Sequence, residues 1–287
     1  MAATDNSIYE VLPAAICYPR VGADVNAAIK AARRAGLLAT ARGGNTGTNG
    51  QSLNSGLILD FSRHMTCILA LDVQAGSVTV EPGVVLDQLN VTLAQHGLFF
   101  PPTVSTASRA TLGGMVATDA AGKGSRVYGK TSAYVQFMDV VLANAEDWHV
   151  EPLSLSRARS LSALDDHVRR IHKQIINTVV EHRNEIRSVF PKLDRGLTGY
   201  NLQDGYDAEA DRFFLAPFLA GSEGTLAITK AVMLRLARKP PLKALVVTRY
   251  SNFDDTVNQV HELIRAEPLA VNILDEKILG LAQDDIL

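Results

Sequence analysis

The stretch ATARGGNTGTNGQSLNSGLILD, residues 39–60, places five glycines between two apolar runs. Glycine is used where the backbone needs a positive φ or must come close to another group, and each one costs conformational entropy on folding. Gly43 and Gly44 precede Asn45, a residue that also tolerates the left-handed region. Successive N–H groups of such a bend can turn toward one point and form a nest that suits an anion. The spacing alone leaves a long glycine-rich hairpin turn as an equal alternative.

The segments on both sides of this glycine bend (residues 43–56) predict alternating strands and helices. Asp24 begins a helical pattern whose apolar positions share one face, and Gly36 stands where a C′ residue belongs. Strand texture precedes and follows the bend, so the sequence predicts a β-α-β unit with one extra strand. A second, similar unit begins with SVTVE, 77–81, followed by a helix over residues 86–93. The predicted strands of the first unit are LLATA (37–41), GLILDF (56–61) and CILAL (67–71).

Length and composition are those of a globular protein. The 287 residues are 47% hydrophobic and 20% charged, which suffices for one large core or two smaller ones. The net charge is −2 without a basic run, so we expect no nucleic-acid partner. Cys17 and Cys67 lie in no metal-type spacing, which fits a reducing compartment. Residues 1–13 lack a basic start and no apolar run approaches the ~20 residues of a membrane span, so the expected location is cytoplasmic.

The second half of the chain changes texture. FMDVVLANA, 137–145, predicts a strand, and helical spacing of apolar residues from Leu161 to Val189 predicts a long surface helix within an insertion. RFFLAPF and TLAITKAVMLRLA return to strand texture, and KPP, 239–241, predicts a linker. A β-α-β pattern of fewer than fifty residues follows, which is too short to close a core alone. The predicted organisation is an N-terminal extension (1–14), a central domain (15–239, insertion about 155–200) and an incomplete α+β substrate or cap domain (240–287).

A nucleotide-binding pattern occurs at GSRVYGKT, Gly124–Thr131, which matches G-x-x-x-x-G-K-[ST] at every fixed position. In a P-loop these amides cradle nucleotide phosphates, and the loop joins a strand to a helix. Here ATDAAGK precedes the match, and strand-like alternation follows it. The context therefore favours a chance match, and a P-loop nucleotide-binding protein is kept as an alternative function.

Four segments in this order and spacing resemble the FAD-binding domain of the vanillyl-alcohol oxidase / p-cresol methylhydroxylase family of flavoproteins. They are ARGGNTGTNGQ (41–51), VEPGV (80–84), FFPPTVSTASRATLGGMVATDAAGKGSRVYGK (99–130) and GSEGTLAIT (221–229). The resemblance covers about Pro19 to Leu236 and implies an α+β fold with two FAD-binding subdomains. Within the family, the chain is most similar to bacterial FAD-linked D-2-hydroxyglutarate dehydrogenase-like oxidases with a C-terminal iron–sulfur portion. The helical insertion and FPKLDRGLTGYNL (190–202) resemble that subgroup too.

The resemblance implies that the glycine bend wraps the FAD pyrophosphate. Amides suit this role physically, because two adjacent phosphates need several directed donors without the desolvation cost of many buried cations. The turn at Pro82 would close over the adenosine half, and the later segments would follow the ribityl chain and the isoalloxazine. Carried over position by position, the cofactor-binding residues are Arg42, Gly43, Gly44, Asn45, Thr46, Gly47, Thr48, Pro82, Gly83, Pro102, Ser105, Thr106, Thr111, Gly113, Gly114, Thr118, Asp119, Gly124, Tyr128, Gly129, Glu223, Gly224 and Ile228.

The way FAD is held differs from that in relatives with covalent FAD. Such relatives have a His in the glycine bend where this chain has Thr46, and some add a Cys in the second of the four segments, where this chain has none. Neither Cys17 nor Cys67 lies in a carried-over motif. We therefore expect non-covalent FAD. An iron–sulfur cluster is expected only in a portion beyond this chain.

The implied reaction is oxidation of a D-2-hydroxyacid by hydride transfer to flavin N5, with D-2-hydroxyglutarate first, and D-lactate or glycolate next. A carboxylate substrate needs an arginine clamp and its hydroxyl a general base, commonly His. His167, His172 and His182 fall in the charged helix and are predicted to be solvated, and no histidine pair has metal-ligand spacing. Arg109 and Lys130 could meet the carboxylate or could be exposed loop charges, so no catalytic residue and no metal is predicted. A non-catalytic FAD-binding fragment is the remaining alternative.

Overall fold

The computed structural model of the protein describes residues 3–162, 167–191 and 199–284. The chain divides into two compact units, Met1–Lys239 and Pro240–Leu287. Within the described residues, every strand lies in the first unit.

The described residues of both units contain the following strands and helices, of which only the last two helices lie in the second unit. The strands are β1 (Ala15–Cys17), β2 (Ala39–Arg42), β3 (Leu57–Asp60), β4 (Ile68–Asp72), β5 (Ser77–Val80), β6 (Leu98–Phe99), β7 (Val135–Leu142), β8 (Asp147–Val150), β9 (Tyr206–Asp207), β10 (Arg212–Phe213), β11 (Ala227–Arg235) and β12 (Ala237–Arg238). The helices are α1 (Gly22–Arg34), α2 (Leu86–Ala94), α3 (Leu112–Ala117), α4 (Ser125–Tyr128), α5 (Leu155–Ser162), α6 (His167–Ile176), α7 (Arg183–Val189), α8 (Ala216–Leu219), α9 (Phe253–Arg265) and α10 (Glu276–Asp284). Short 3-10 turns cover Thr131–Tyr134 and Gln203–Gly205, and a π-helical turn covers Asn177–Glu181.

A parallel sheet and one helix form the first part of the unit. The strand order is β1-β3-β2, and both outer strands pair parallel to β3. Helix α1 buries Val25, Ile29 and Ala32, whose spacing places them on one face, in a small core with strand β3. The helix begins two residues before the predicted Asp24, because the Asp24 carboxylate accepts hydrogen bonds from the N–H groups of Arg20 (2.8 Å) and Val21 (3.2 Å).

An antiparallel sheet carries the larger core. Its order is β4-β5-β11-β7-β8, and helices α2 and α3 contribute buried side chains to the same cluster. Helix α2 buries Leu86, Leu89 and Leu93, the three positions that its sequence pattern predicts. Helices on an antiparallel sheet beside a separate parallel sheet make an α+β architecture with two cores. This arrangement confirms the predicted fold class.

The glycine bend is not a hairpin. Strands β2 and β3, which it joins, pair in parallel, with Ala39 opposite Leu57 and Arg42 opposite Asp60. A tight hairpin can join only antiparallel strands, because its two arms must run in opposite directions. Residues 43–56 must therefore travel back along the whole length of the sheet, and they do so without a helix.

The predicted second β-α-β unit is wrong. Strand β5 and helix α2 form as expected, but β6 pairs with β12 outside the five-stranded sheet. The helical spacing of the insertion is correct, whereas one continuous helix is not formed over its described part: a π-helical turn separates α6 from α7, and residues 163–166 lie outside the described residues. Residues 192–198 of the segment FPKLDRGLTGYNL also lie outside them. RFFLAPF forms only a two-residue strand, because helix α8 begins within it at Ala216, with Pro217 in the first turn.

The second unit contains helices. Helix α9 confirms the predicted helical pattern, and Asn252 caps it by accepting a hydrogen bond from the Asp255 N–H (2.8 Å). The two strands of the β-α-β pattern predicted after residue 241, ALVVTRY (244–250) and LAVNILD (269–275), do not form in the described residues, which pair with no other strand there. Strand texture is a preference for a half-buried pleated surface, and it becomes a strand only when a neighbouring strand supplies hydrogen bonds. That residues 240–287 begin a substrate domain stays a prediction.

A substitution at Gly83 tests how closely the turn at Pro82 packs against the backbone at Phe61 and Met65. Its N–H donates to the Met65 carbonyl (2.8 Å), and a Cβ there would overlap the Phe61 carbonyl oxygen. We expect Gly83→Ala to lower the free energy of unfolding by about 3 kcal/mol, because backbone on both sides cannot yield cheaply. Gly36→Ala is the control: its φ is +67° but its surroundings are open, so about 1 kcal/mol is expected. Equal losses in urea unfolding would contradict the packing.

Candidate cofactor site

A cavity of about 620 Å³ lies in the first unit, and distant parts of the chain form its wall. They are the glycine bend, the turn at Pro82, residues 104–123 and residues 219–229. Of the residues that the sequence predicts, the wall contains Arg42, Gly43, Gly44, Asn45, Thr46, Gly47, Thr48, Pro82, Ser105, Thr106, Thr111, Gly113, Gly114, Thr118, Glu223, Gly224 and Ile228. The structure therefore brings together segments that are up to about 180 residues apart in the chain.

Six predicted residues do not line this cavity. They are Gly83, Pro102, Asp119, Gly124, Tyr128 and Gly129. Gly83 is enclosed by the backbone at Phe61, and Asp119 is turned toward Lys130, whose Nζ lies 2.7 Å from its Oδ2. A cofactor contact by any of these six residues stays a prediction.

The glycine bend presents a run of unused donors. Within the part of the chain that the structure describes, none of the N–H groups of residues 43–48 donates to a protein acceptor. These residues line the cavity consecutively. Consecutive amides that face a concave space form an anion site, since their partial positive charges add. The bend can therefore bind an anionic group without a cationic side chain.

Two glycines of the bend allow it to lie directly against the opposite wall. A Cβ on Gly43 would overlap the Thr111 hydroxyl, and a Cβ on Gly44 would overlap the Arg109 carbonyl oxygen. Thr111 is itself fixed, because its side chain accepts the Gly114 N–H (3.3 Å) at the start of helix α3. A larger residue at Gly44 would have to move the Arg109 backbone, and one at Gly43 would have to displace the Thr111 side chain.

Asn45 has the left-handed conformation that its sequence position predicts. Its φ of +58° lies in the left-handed region, which Asn tolerates better than most residues. Its Oδ1 is buried and has no hydrogen-bond partner in the described structure. A buried acceptor without a partner is costly, so its place in the cavity wall indicates that a ligand group satisfies it.

The sequence prediction missed six polar wall residues, Asn6, Gln51, Ser52, Lys123, Ser222 and Thr229. The Gln51 Nε2 donates to the Glu223 Oε1 (3.3 Å), which links the glycine bend to the strand that returns at residue 227. Glu223 has a φ of +51° and is followed by Gly224 at +80°. The motif GSEG carries that backbone signal, whereas Asn6, Gln51 and Lys123 have no local signal that distinguishes them from other polar loop residues.

Arg42 is engaged with the protein rather than directed only at the cavity. Its Nη2 donates to the Thr4 carbonyl (2.9 Å), and its Nε lies 3.8 Å from the Asp60 carboxylate. The side chain is 3% exposed. Such a buried guanidinium holds strand β2, strand β3 and the N-terminal residues together, and its removal would leave the Asp60 carboxylate uncompensated.

The nucleotide-binding pattern at residues 124–131 does not form a P-loop. No strand leads into it, and its amides are used internally: the Tyr128 and Gly129 N–H groups donate to Gly124 and Ser125 carbonyls. Lys130, which would reach a phosphate, pairs with Asp119 instead. Asp119 also accepts from the Ser132 N–H (2.7 Å) and hydroxyl (3.0 Å). The segment is therefore held by the Lys130–Asp119 ion pair and by local hydrogen bonds, and its role is structural.

The predicted substrate contacts receive no support from this wall. Arg109 is exposed and does not line the cavity, and Lys130 is paired with Asp119. His172 is not solvated as predicted: its ring is buried between Trp148 and Phe213, with centroids 5.3 and 5.9 Å away. The structure describes all seven histidines, and none of them lines the cavity.

Other reactive groups also lie outside the cavity. Burial and the nearby Asp24 carboxylate raise the pKa of the Cys17 thiol, so it stays protonated and weakly nucleophilic at neutral pH. In residues 3–162, 167–191 and 199–284, no three His, Cys, Asp or Glu side chains are placed to share a metal ion. None of the described helices is long and apolar enough to cross a membrane.

The fold and the cavity define the class of protein. Amides without protein acceptors in the wall of a cavity of about 620 Å³ suit a small-molecule cofactor that carries an anionic group. Residues 13–150 match the FAD binding domain family. The chain therefore contains an FAD-binding domain, which confirms the predicted fold of the p-cresol methylhydroxylase type and the predicted cofactor.

Similar proteins include several bacterial dehydrogenases. The D-2-hydroxyglutarate dehydrogenase of Escherichia coli (strain K12) is 43% identical over 99% of this chain, and that of Pseudomonas putida (strain KT2440) is 40% identical over 99%. A glycolate oxidase subunit of Bacillus subtilis (strain 168) is 27% identical over 96% of this chain and 48% of its own length. The chain spans 28% of the length of those two dehydrogenases.

The variant Lys130→Ala distinguishes a structural ion pair between Lys130 and Asp119 from a P-loop. We expect a loss of about 2 kcal/mol in the free energy of unfolding, because the largely buried Asp119 carboxylate loses its charged partner. MgATP and MgGTP should show no saturable binding to either the wild type or the variant in a calorimetric titration. Nucleotide binding by the wild type that Lys130→Ala abolishes would establish the P-loop instead.

Proposed function

We propose that the chain is the FAD-binding part of an enzyme that oxidises a D-2-hydroxyacid, with D-2-hydroxyglutarate as the first candidate substrate. The observation that carries the proposal is the 40–43% identity to D-2-hydroxyglutarate dehydrogenases over 99% of this chain. The cavity supports it, because its volume lies within the about 300–1,000 Å³ of small-molecule sites.

The residues present fit FAD. The unpaired amides of residues 43–48 would hold the diphosphate, and the unpartnered Asn45 Oδ1 would accept a hydrogen bond from a hydroxyl or amino group. The apolar wall residues Met115 and Ile228 offer a surface for a ring system. No histidine or cysteine lies in the described wall, so the residues favour non-covalent binding. When bound, FAD supplies the two-electron redox chemistry by accepting a hydride at N5.

The substrate-holding groups are not found in this wall. A 2-hydroxyacid needs a cation for its carboxylate and a base for its hydroxyl proton. The charged residues of the described wall are Arg42, Lys123 and Glu223, of which Arg42 is held by Asp60 and Glu223 by Gln51. We therefore place the base and the main carboxylate clamp outside these residues, with Lys123 as the one exposed cation at the cavity.

A second candidate is a non-catalytic FAD-binding part. The observation that favours it is the 28% coverage of the dehydrogenases. In that case the amides and the cavity would bind FAD in the same way, but no hydroxyacid would be oxidised by the 287 residues alone.

Binding of FAD is tested by changing the charge of the amide cradle. Asn45→Asp should weaken FAD binding by about 100-fold, because a carboxylate beside a diphosphate costs several kcal/mol at an intermediate dielectric constant. Asn49→Asp on the same bend lies outside the cavity wall and should bind nearly as the wild type does. Flavin fluorescence measures both affinities. Saturating FAD at about 100 Kd should raise the wild-type Tm by about 5 °C or more. No FAD binding by the wild type would refute the proposal.

The substrate is tested on the chain loaded with FAD, under anaerobic conditions. We expect D-2-hydroxyglutarate to bleach the flavin absorbance near ~450 nm, and its L enantiomer to leave it unchanged, because a single substrate orientation presents the α-hydrogen. D-Lactate and glycolate should act more slowly. Faster bleaching by either of them would change the assigned substrate, and no bleaching by any of them would favour the non-catalytic candidate.

A further inference from the structure

The N-terminal residues 3–11 fold back on themselves. The Val11 N–H donates to the Ala3 carbonyl (2.8 Å), and Thr4 and Glu10 form an antiparallel bridge. Between them, Asp5 accepts a hydrogen bond from the Ser7 N–H (2.8 Å). This small hairpin precedes strand β1, and it ends before the residues that match the FAD binding domain family, which begin at 13.

The hairpin contacts the glycine bend at its beginning and at its far side. The buried Arg42 donates to the Thr4 carbonyl (2.9 Å), and the Ser52 hydroxyl donates to the Asp5 Oδ2 (2.8 Å). The Tyr9 ring lies so close to Gly50 that a Cβ there would come within 2.9 Å of it. The same hairpin brings Asn6 into the cavity wall.

The bend needs such support. It has the free N–H groups described above, and no helix or strand of its own stabilises it between β2 and β3. An open segment loses conformational entropy when it binds a ligand, and a segment held beforehand in the bound shape loses less. Asp5 is suited to hold it as a charged acceptor. Burial acts to raise the pKa of Asp5, but hydrogen bonds from Ser7 and Ser52 and the charge of Arg42 outweigh burial and hold the pKa below its usual value.

We propose that residues 3–11 are a working part of the cofactor site, in which Asp5 and Thr4 hold the glycine bend in its binding conformation and Asn6 contacts the cofactor directly. The N-terminal extension expected from the sequence is then a latch on the bend, and Asp5 is a positioning residue. The contact between Asn6 and the cofactor rests on the proposed FAD function. The claim that Asp5 and Thr4 hold the glycine bend does not.

The hold on the bend is tested without cofactor. Hydrogen exchange of the Asn49 and Leu53 amides, which donate to the Gln51 side chain (3.1 Å) and to the Gly50 carbonyl (3.0 Å), should become several-fold faster in Asp5→Ala than in the wild type. This variant loses the Ser52 hydrogen bond and the attraction between Asp5 and the charge of Arg42. Asp5→Asn keeps an acceptor for Ser7 and a partner for Ser52 and should restore most of the protection. Asp72→Ala is the matched control, since Asp72 also closes a local turn, by accepting the Ala75 N–H (2.8 Å), but lies outside the cavity wall. Unchanged exchange in Asp5→Ala would overturn the latch.

The contribution to the cofactor site is tested by FAD titration of the same variants. Asp5→Ala should bind FAD about tenfold more weakly, as the loss of one charge-assisted hydrogen bond predicts, with Asp5→Asn intermediate and Asp72→Ala unchanged. Asn6→Ala should weaken FAD binding without changing the exchange of the Asn49 and Leu53 amides. Faster exchange with unchanged FAD affinity in Asp5→Ala would overturn the positioning role. A wild type that binds no FAD would refute the proposed function, while the exchange experiment would still decide the latch.

Discussion

The site depends on a close contact at Gly43, which meets the Thr111 hydroxyl, and at Gly44, which meets the Arg109 backbone. The glycine bend touches the stretch before helix α3 at Arg109 and Thr111, so closely that neither glycine could carry a Cβ. One side of this contact comes from the parallel sheet, and the other leads into the core of the antiparallel sheet. The contact therefore fixes the amides of the bend relative to the opposite wall. A cleft between two cores holds its shape because each core anchors one wall.

The charges near the cavity are mostly used to hold the protein together. Arg42 contacts Asp60 and Thr4, and Lys130 pairs with Asp119 behind the wall. Each of these side chains would be a plausible phosphate ligand in a sequence motif. Because they are engaged, recognition of an anion falls to backbone dipoles, which need no desolvation of a separate cation and keep their direction when the site is empty. The fold thus preserves the anion site through the conformation of the backbone.

Sequence reasoning succeeds where neighbours along the chain decide the structure. Helix α2 has its buried leucines where the pattern predicts them, and Asn45 has the positive φ that its place after two glycines suggests. It fails where the outcome depends on a distant partner. His172 follows a charged pattern but is buried by Trp148, and Asn6 lies in the cavity wall only because the chain before β1 folds back. Family resemblance carries residue identity along a motif, but it does not say which side of the backbone faces the cavity, as Asp119 shows.

Two glycine-rich segments of this chain differ in one physical property that a motif does not record. In residues 124–131 the amides of Val127, Tyr128 and Gly129 close local turns, so the segment has few donors left for a phosphate. In residues 43–48 the left-handed Asn45 and the flanking glycines prevent such turns, and the amides stay unused. An anion site requires donors that local structure has not already satisfied. The backbone N–H groups that have no acceptor in a glycine-rich segment therefore identify the phosphate-binding loop better than its sequence motif does.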